Sequence, residues 1–396
     1  MDTAIFTTIE GVSAFFLLQE KELAEACFDL SKTRDVGKVY LGRISEIVPN
    51  LRAAFVEYKK GTKAFLPLSE EELKTLHCEQ VIPVQVNKEA VKTKSAVLTR
   101  NIVLSGLYSV VTMNGANEVR VSKKIKGRHA EVLAQLASSV DPKGHSVVIR
   151  TNADALFRDD TLEDHGKEIW MTELDNLMSA AERMQQYSEQ RTMYSLLWEP
   201  DFTCRMLAKS RLTDLEKVVT NAVNIGKKCK DVLITEDRTE ISLYTDTSFP
   251  LLSLYELKAK LHEALGRKVW LKSGGYLVFD SNETLSTIDV NSGKDQSKIT
   301  KQELIHKTNK EAAIKIATQL RCRNLSGMIL IDFMNGDQAE QTSLMNRMHA
   351  LVLKDSVKTN VIDITGLQLM ELTRKKDELS LVEQCKEAGL YETFAL

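Results

Sequence analysis

Two short runs of apolar residues, each followed by an aspartate, form the most informative part of the hydrophobic pattern. The first run, residues 285–288, leads into Asp289 and Asn291, and the second, residues 327–331, leads into Asp332. Such runs predict buried strands, because strands are short apolar segments bounded by polar positions. Side chains alternate along a strand, so Asp289 and Asn291 are expected on the same side.

The segment between the two runs has helical periodicity. Its apolar or small residues recur every four positions, at Leu304, Thr308, Ala312, Ile316 and Leu320. An order of strand, helix and strand predicts that the two strands are parallel. Their carboxylates would then meet at one edge of the sheet, where open α/β sheets build ligand sites. Two carboxylates and an amide suit a hard cation such as magnesium, and hence phosphoryl or phosphodiester chemistry.

Each aspartate also has an ordinary interpretation. Strand-end aspartates are common in α/β proteins, and spacing alone favours two unconnected structural residues. The combination of two strand-end acids, one crossover and the Gly274-Gly275 turn just upstream favours a metal site instead. The histidines show no metal-ligand spacing and the cysteines form no CxxC pair, so neither residue type predicts a second metal site or a disulfide framework.

The N-terminal third is predicted to consist of short strands. Residues 4–18 have the pattern of a hairpin, which runs into a polar connection ending near Asp35. Phe55 and Phe65 lie on neighbouring strands among lysines, an arrangement that can stack bases, although a place in the core explains both equally well. Five short strands with Gly, Pro and Lys turns fit a small closed barrel of the OB type. These strands are predicted at residues 39–44, 53–58, 64–66, 81–86 and 96–98.

Beyond the barrel the pattern predicts mixed α/β structure. A strand at residues 146–149 ends at Arg150 and Thr151, which suit a phosphate because a guanidinium and a hydroxyl both donate to its oxygens. Spacing alone favours an ordinary surface ion pair for Arg150. The later pattern predicts helices at residues 162–197, 212–222, 254–265 and 339–352, and strands at residues 231–235, 269–271 and 361–364.

Composition sets bounds on the class of protein. The chain has 396 residues and a formal net charge of −2, with 43% hydrophobic and 27% charged residues, which fits two to four globular domains. Its apolar runs are too short to span a membrane, and a cytoplasmic location is expected. The net charge gives no indication of nucleic-acid binding, although basic patches occur, for example at residues 374–376.

Several motifs, in order along the chain, closely resemble the ribonuclease E/G family of endoribonucleases. Residues 273–276 and 287–293 are similar to the catalytic motif of that family, and residues 327–333 to its second catalytic strand. Residues 371–376 resemble the start of the helix that follows. Residues 42–68 resemble the family's RNA-binding OB-fold.

The fold that this resemblance implies is a composite of α/β class. An RNase H-like subdomain would be formed by residues 1–34 and 197–265, with an OB-fold RNA-binding domain at residues 35–104 and a 5′-sensor region at residues 105–196 inserted between them. Residues 266–396 would form a DNase I-like catalytic subdomain. The hydrophobic pattern, an α/β chain with an all-β insert, agrees with this architecture.

The function that the resemblance implies is a magnesium-dependent endoribonuclease that cleaves single-stranded RNA. Asp289 and Asp332 would bind the metal ion, and Asn291 would support them or the attacking water. Hydrolysis would leave 5′-phosphate and 3′-hydroxyl ends, in the processing of rRNA and the decay of mRNA.

Two further sites follow from the resemblance. The positions that hold single-stranded RNA in the barrel correspond here to Phe55, Phe65 and Lys94. The positions that read a 5′-monophosphate on the RNA correspond to Gly106, Val110, Arg150 and Thr151.

Oligomer formation and two rival functions are the remaining expectations. The family's zinc link, a CPxC-type motif that joins two protomers, has only Cys385 near its place. A zinc-linked oligomer is therefore not expected, which leaves a monomer or a weak dimer. A non-catalytic RNA-binding relic and a metal-dependent deoxyribonuclease are the rivals; the intact acids argue against the first, and cleavage of RNA but not DNA would exclude the second.

Overall fold

A computed structural model describes residues 2–90, 94–158, 161–234, 238–282, 284–293, 300–353, 355–376 and 378–395. These residues form two compact units. One unit contains residues 1–30, 217–223 and 242–396, and the other contains residues 31–216 and 224–241. The finer division into five domain segments stays a prediction.

The chain begins with three antiparallel strands, β1 (Asp2–Ile9), β2 (Val12–Gln19) and β3 (Glu22–Phe28). The predicted hairpin is confirmed, since Ala4 pairs with Leu17. The polar connection predicted after it is wrong at residues 22–28, which form β3 and are buried from Leu23 onward. This strand was missed because its two glutamates gave the segment a polar pattern. In the structure both faces of the strand are covered.

The predicted closed barrel is confirmed. Strand β4 pairs with both β5 and β7, and β6 pairs in parallel with β8, so the sheet closes on itself. Alternate residues such as Ala54, Val56, Ala64 and Leu66 fill its core. The elements are β4 (Val39–Val48), β5 (Ala53–Lys59), β6 (Thr62–Pro67), α1 (Glu70–Thr75), β7 (Val81–Lys88) and β8 (Val97–Thr99).

The segment after the barrel is a four-stranded sheet followed by a long helix. The predicted helix over residues 162–197 is too long: it ends at Gln190, and residues 196–198 form a strand paired with β4. The backbone N–H of Tyr194 donates to the Leu41 carbonyl at 2.7 Å, so tertiary pairing overrides helical periodicity here. The elements are β9 (Val103–Ser105), β10 (Ser109–Thr112), β11 (Glu118–Val121), α2 (Gly127–Ser138), β12 (Ser146–Ile149), β13 (Phe157–Arg158), β14 (Thr161–Leu162), α3 (Asp164–Gln190) and β15 (Leu196–Trp198).

Two predictions in the next segment are wrong. The helix predicted at residues 212–222 is largely a strand, because the β-branched Val218 and Val219 are buried within a five-stranded sheet. The strand predicted at residues 231–235 begins in the end of a helix, and Thr235 lies outside the described residues. The elements are α4 (Phe202–Leu207), β16 (Leu215–Thr220), α5 (Val223–Val232), β17 (Glu240–Leu243), α6 (Leu251–Leu254) and α7 (Leu257–Leu265).

A six-stranded sheet dominates the C-terminal part. It has the order β18-β19-β20-β21-β23-β22, and β20 and β21 are parallel, as predicted. Residues 371–376 do not begin a helix: residues 369–374 are a strand in which burial alternates, and it pairs with β21. The elements are β18 (Lys268–Trp270), β19 (Tyr276–Ser281), β20 (Leu285–Asn291), α8 (Lys301–Cys322), β21 (Gly327–Asp332), α9 (Gln338–Val352), β22 (Thr359–Ile364), β23 (Leu369–Arg374), α10 (Leu381–Glu387) and α11 (Tyr391–Ala395).

One face of this sheet is covered and the other faces solvent. Helices α8 and α9 pack on the covered face, where Ile288, Ile331 and Met348 share one core. On the opposite face, Met328 and Ile362 are exposed. The site described below lies on this solvent-facing surface, which we call the open face.

The fold class is therefore mixed α/β with a closed, OB-like barrel, as predicted. The names RNase H-like and DNase I-like for the remaining parts stay predictions. In the part of the chain that the structure describes, none of the helices combines the length and the apolar character that crossing a membrane requires.

Candidate active site

Asp289 and Asp332 occupy paired positions on the parallel strands β20 and β21. Neighbouring strands lie about 4.8 Å apart, so both carboxylates leave the sheet side by side on the open face. The Asn291 side chain projects from the same face and donates to Asp289 Oδ2 at 2.7 Å. The sequence predicted that these residues meet at a sheet edge. The structure brings them together at the ends of β20 and β21, and their side chains project from the open face of the sheet.

The carboxylates of Asp289 and Asp332 place two like charges side by side. Burial and the neighbouring charge of Asp289 raise the pKa of Asp332. Within the described ranges, no cationic side chain lies at salt-bridge distance from either carboxylate. Strand β23 adds Glu371 to the same face, in a diagonal position about 7–8 Å from Asp332.

The donor set fits a hard cation. No cluster of three or more His, Cys, Asp or Glu suited to a metal ion is found among the described residues. Two carboxylates side by side with an amide match the way magnesium is bound, through one or two protein carboxylates with the remaining positions left to water and phosphate. The arrangement can therefore hold a divalent cation against a phosphate.

Two residues of α8 position this site, and the sequence analysis missed both. The buried Asn309 donates to the Met334 carbonyl at 2.8 Å and accepts from the Met334 N–H at 3.0 Å, which fixes the chain just after Asp332. The Glu311 carboxylate accepts from the backbone N–H groups of Lys272 and Ser273. A buried amide at a helical core position was the available signal for Asn309.

Glycines at the turn before β19 permit a close backbone approach. A Cβ on Gly275 would lie 2.7 Å from the Asn291 carbonyl oxygen. Gly293 has φ +63° and packs against the Gly274 carbonyl, where a side chain would collide. The Gly274-Gly275 turn noted in the sequence therefore supports the end of β20, beside Asn291.

Phe55 and Phe65 lie on the outer surface of the barrel. They are paired on β5 and β6, their ring centroids are 6.1 Å apart at an angle of 71°, and both are partly exposed. Neither belongs to the barrel core, because Ala54, Val56 and Ala64 occupy the inward positions. Of the two interpretations left open by the sequence, the core position is excluded and an accessible aromatic surface remains.

The lysines around these rings have different environments. Lys94 is exposed and lies two residues before Ala96, whose carbonyl accepts from the Phe65 N–H at 2.8 Å. Lys59, in contrast, pairs with Asp35 at 2.5 Å and is therefore used within the barrel. Lys94 is thus the better placed of the two to meet a ligand bound at Phe65.

The predicted 5′-sensor residues are brought together only in part. Arg150 donates through Nη1 to the Gly106 carbonyl at 2.6 Å, and Val110 lies on β10 next to the strand that ends at Arg150. Thr151 is exposed, and its hydroxyl is 3.3 Å from that of Ser122. Burial lowers the pKa of the Arg150 guanidinium, and the charge of Glu173 opposes this effect.

Glu173 is the residue at this site that the sequence analysis missed. Its carboxylate accepts from three consecutive backbone N–H groups, those of Leu107, Tyr108 and Ser109, at 2.5, 2.8 and 2.8 Å. A Cβ on Gly106 would collide with this carboxylate at 2.5 Å. Glu173 follows Trp170 on the apolar stripe of α3, and an acid on such a stripe was the available signal.

We expect Glu173→Gln to change the pH dependence of stability. Burial raises the pKa of Glu173 above its usual 4.5, against the opposing backbone donors, so the folded state binds this proton more tightly than the unfolded state does. Its contribution to the free energy of unfolding is therefore full below pH 4.5 and falls as pH rises through the folded pKa. The difference between parent and variant, measured by urea unfolding between pH 4 and 8, should decline with pH.

Glu182→Gln on the same helix is the matched control for this measurement. Lys143, at 2.7 Å, lowers the pKa of Glu182, so the contribution of Glu182 is present above pH 4.5 and lost as pH falls. Between pH 4 and 8 the difference between parent and Glu182→Gln should therefore stay level or rise slightly, whereas the difference between parent and Glu173→Gln declines. Equal slopes would show that the Glu173 pKa is not raised.

The chain is similar to known proteins of one family. Residues 103–377 match the family described as Ribonuclease E/G. The chain is 31% identical over 383 residues to Ribonuclease E of Synechocystis sp., covering 90% of this chain and 55% of that protein. It is 30% identical over 369 residues to Ribonuclease G of Salmonella typhimurium, covering 87% and 74%. It is 32% identical over 375 residues to Ribonuclease G of Haemophilus influenzae, covering 87% and 73%. The chain thus spans about half the length of the Ribonuclease E proteins that it matches, at 55% and 52%.

Proposed function

Since this chain belongs to the ribonuclease E/G family, we propose that it is an endoribonuclease that hydrolyses phosphodiester bonds in single-stranded RNA. The single observation that carries the proposal is the pair of carboxylates, Asp289 and Asp332, side by side on the open face of the six-stranded sheet. Two neighbouring carboxylates repel a phosphodiester unless a cation lies between them. A site of this kind therefore suits metal-dependent hydrolysis.

Each residue at the carboxylate site would have a separate role. Asp289 and Asp332 would hold a magnesium ion, and Asn291 would keep the Asp289 carboxylate in one orientation through its 2.7 Å hydrogen bond. When bound, magnesium supplies Lewis acidity that polarises a phosphate and promotes ionisation of water. Asn309 on α8 would position Asp332 indirectly, because its hydrogen bonds to Met334 fix the backbone that follows Asp332.

The products and the biological setting are also part of the proposal. Hydrolysis would leave a 5′-phosphate and a 3′-hydroxyl, and the reactions served would be rRNA processing and mRNA decay in the cytoplasm. The barrel would bind the RNA through Phe55, Phe65 and Lys94. Recognition of a 5′-monophosphate would use Gly106, Val110, Arg150 and Thr151.

Arg150 and Glu173 have opposite effects on how a 5′-monophosphate could be bound. The Arg150 guanidinium is a donor suited to phosphate. The three backbone N–H groups of residues 107–109, however, are already used by the Glu173 carboxylate. A phosphate would therefore be bound by side chains and by other backbone groups rather than by these three.

Cleavage of a labelled single-stranded RNA tests the proposed function directly. We expect cutting with magnesium and none with a chelator, and we expect an RNA with a 5′-monophosphate to be cut faster than one with a 5′-hydroxyl. The DNA oligonucleotide of the same sequence should stay intact. Mapping the ends would identify the 5′-phosphate, and RNA that remains intact at saturating magnesium would contradict the proposal.

Substitution of the barrel phenylalanines should weaken RNA binding. Stacking of a base on an aromatic side chain contributes about 1–3 kcal/mol, so Phe55→Ala or Phe65→Ala should raise Kd roughly 5- to 150-fold. Fluorescence anisotropy with a labelled RNA in chelator measures this change without cleavage. The control is Val81→Ala on β7, an apolar residue of the same barrel that is 37% exposed and lies away from β5 and β6, and this variant should leave Kd unchanged. Equal losses in all three variants would contradict a specific stacking role.

A further inference from the structure

An aromatic cluster lies beside the carboxylate pair on the open face. Trp270 is paired with Tyr276, and Tyr276 is paired with Asn291, so the three residues form one row across β18, β19 and β20. With strands about 4.8 Å apart, Tyr276 is one strand from Asn291 and Trp270 is about 10 Å from it. Asp289 lies two residues before Asn291 on β20, so Tyr276 is diagonal to Asp289 at about 7–8 Å, and the cluster borders the site that would hold the phosphate.

A lysine links the two rings. The ring centroids of Trp270 and Tyr276 are 5.4 Å apart at an angle of 63°. Lys268 Nζ lies 3.9 Å from the Trp270 centroid and 3.6 Å from the Tyr276 centroid. Cation–π contact with two rings holds this ammonium in place beside the aromatic surface. The cluster thus offers a phosphate a positive charge beside the exposed ring of Trp270.

The cluster contributes little to the core of the sheet. Val269 and Leu277, its neighbours along the strands, point to the covered face and belong to the core. The Trp270 side chain is instead 60% exposed, whereas Trp170 is fully buried. Exposed aromatic residues grouped with a cation are characteristic of binding surfaces, because each ring combines a large apolar face with low conformational freedom.

We infer that Trp270, Tyr276 and Lys268 form a stacking platform, which holds a base of the RNA on the open face beside the cleavage site. The inference rests on the proposed function and adds to it a second aromatic binding site, outside the barrel. Aromatic faces combined with cations are the general means of binding single-stranded nucleic acid without reading its sequence.

A protein partner fits this surface less well. A stable protein interface uses about 20–30 residues on each side, and this cluster has three. The carboxylates next to it would also lie buried and unpaired beneath a protein, which is costly unless a cation accompanies them. A nucleotide next to a bound cation meets neither difficulty.

The test uses the full chain with Asp332→Asn, so that RNA is bound but not cut. In this background we expect Trp270→Ala to raise Kd for a 12-nucleotide RNA roughly tenfold, and Trp270→Phe to change it little, because phenylalanine retains a ring face. A series of RNAs with one abasic nucleotide each locates the stacked base. At one position, the abasic nucleotide should raise Kd by the same factor as Trp270→Ala does. Combining that RNA with Trp270→Ala should then raise Kd no further.

Ile362→Ala is the control variant for the platform. Ile362→Ala removes an apolar side chain that is 53% exposed on β22, at the other edge of the same sheet, and should leave Kd unchanged. Unchanged binding by Trp270→Ala, or additive losses at every abasic position, would overturn the platform. A dimer that sedimentation detects in the parent but not in Trp270→Ala would assign the cluster to a second copy and would also overturn it. Failure of the proposed function is distinguishable, because it would appear as intact RNA with the unsubstituted chain.

Discussion

Replacement of Asp332 by Asn is expected to abolish cleavage while leaving RNA binding nearly intact. A metal ion in such a site contributes several kcal/mol to the transition state, so loss of one carboxylate should lower the rate on the order of 10³-fold or more. The variant should nevertheless fold well, because it removes repulsion between two neighbouring carboxylates on an exposed surface. Single-turnover cleavage, Kd in chelator and the thermal midpoint of unfolding check the three parts of this expectation.

Asp280→Asn is the matched control for Asp332→Asn. Asp280 is an exposed acid on β19 of the same sheet, and it pairs with Arg267 at 2.6 Å rather than with a carboxylate. It should retain the parental rate. Magnesium should raise the thermal midpoint of the parent and of Asp280→Asn, because a ligand of the folded state stabilises it, but should not raise that of Asp332→Asn. Near-parental cleavage by Asp332→Asn would mean that Asp332 is not a metal ligand.

The sequence allowed the carboxylate site to be predicted because its determinants are local. The apolar runs before Asp289 and Asp332, and the four-residue period of α8, each lie within one element. Parallel pairing then follows from chain connectivity. The barrel was predictable for the same reason, since each of its five strands is recognisable from its own residues.

Other features were not predictable because they depend on residues that are distant in the sequence. Strand β16 has an ambiguous local pattern and becomes a strand only by lying within the sheet. Glu173 gains its role from the backbone of residues 107–109, which lie 64–66 positions away. The stacking platform needs the antiparallel register of β18 and β19 to bring Trp270 and Tyr276 together.

The Arg374 side chain is buried, contrary to the expectation from the sequence. The sequence placed it in a basic patch at residues 374–376, but its side chain is 3% exposed and pairs with the Asp355 carboxylate at 2.7 Å. It also donates to Asn324 Oδ1 at 2.6 Å and to the Leu325 carbonyl at 2.9 Å. A list of charges does not reveal which of them are buried, and this arginine is not available to RNA.

Substitution of Asp355 should therefore reduce stability far more than substitution of a surface acid. Asp355→Asn leaves the buried Arg374 guanidinium without its counter-charge, and removal of one partner of a buried pair costs about 3–5 kcal/mol. Asp280→Asn breaks the Arg267 pair, whose side chains are 70% and 52% exposed, and should cost little stability, because solvent screens an exposed ion pair. Urea unfolding of both variants gives the comparison. If the double variant Asp355→Leu/Arg374→Met regains most of the loss, the cost lies in the unpaired charge; a loss equal to that of Asp280→Asn would show that the pair is not buried in solution.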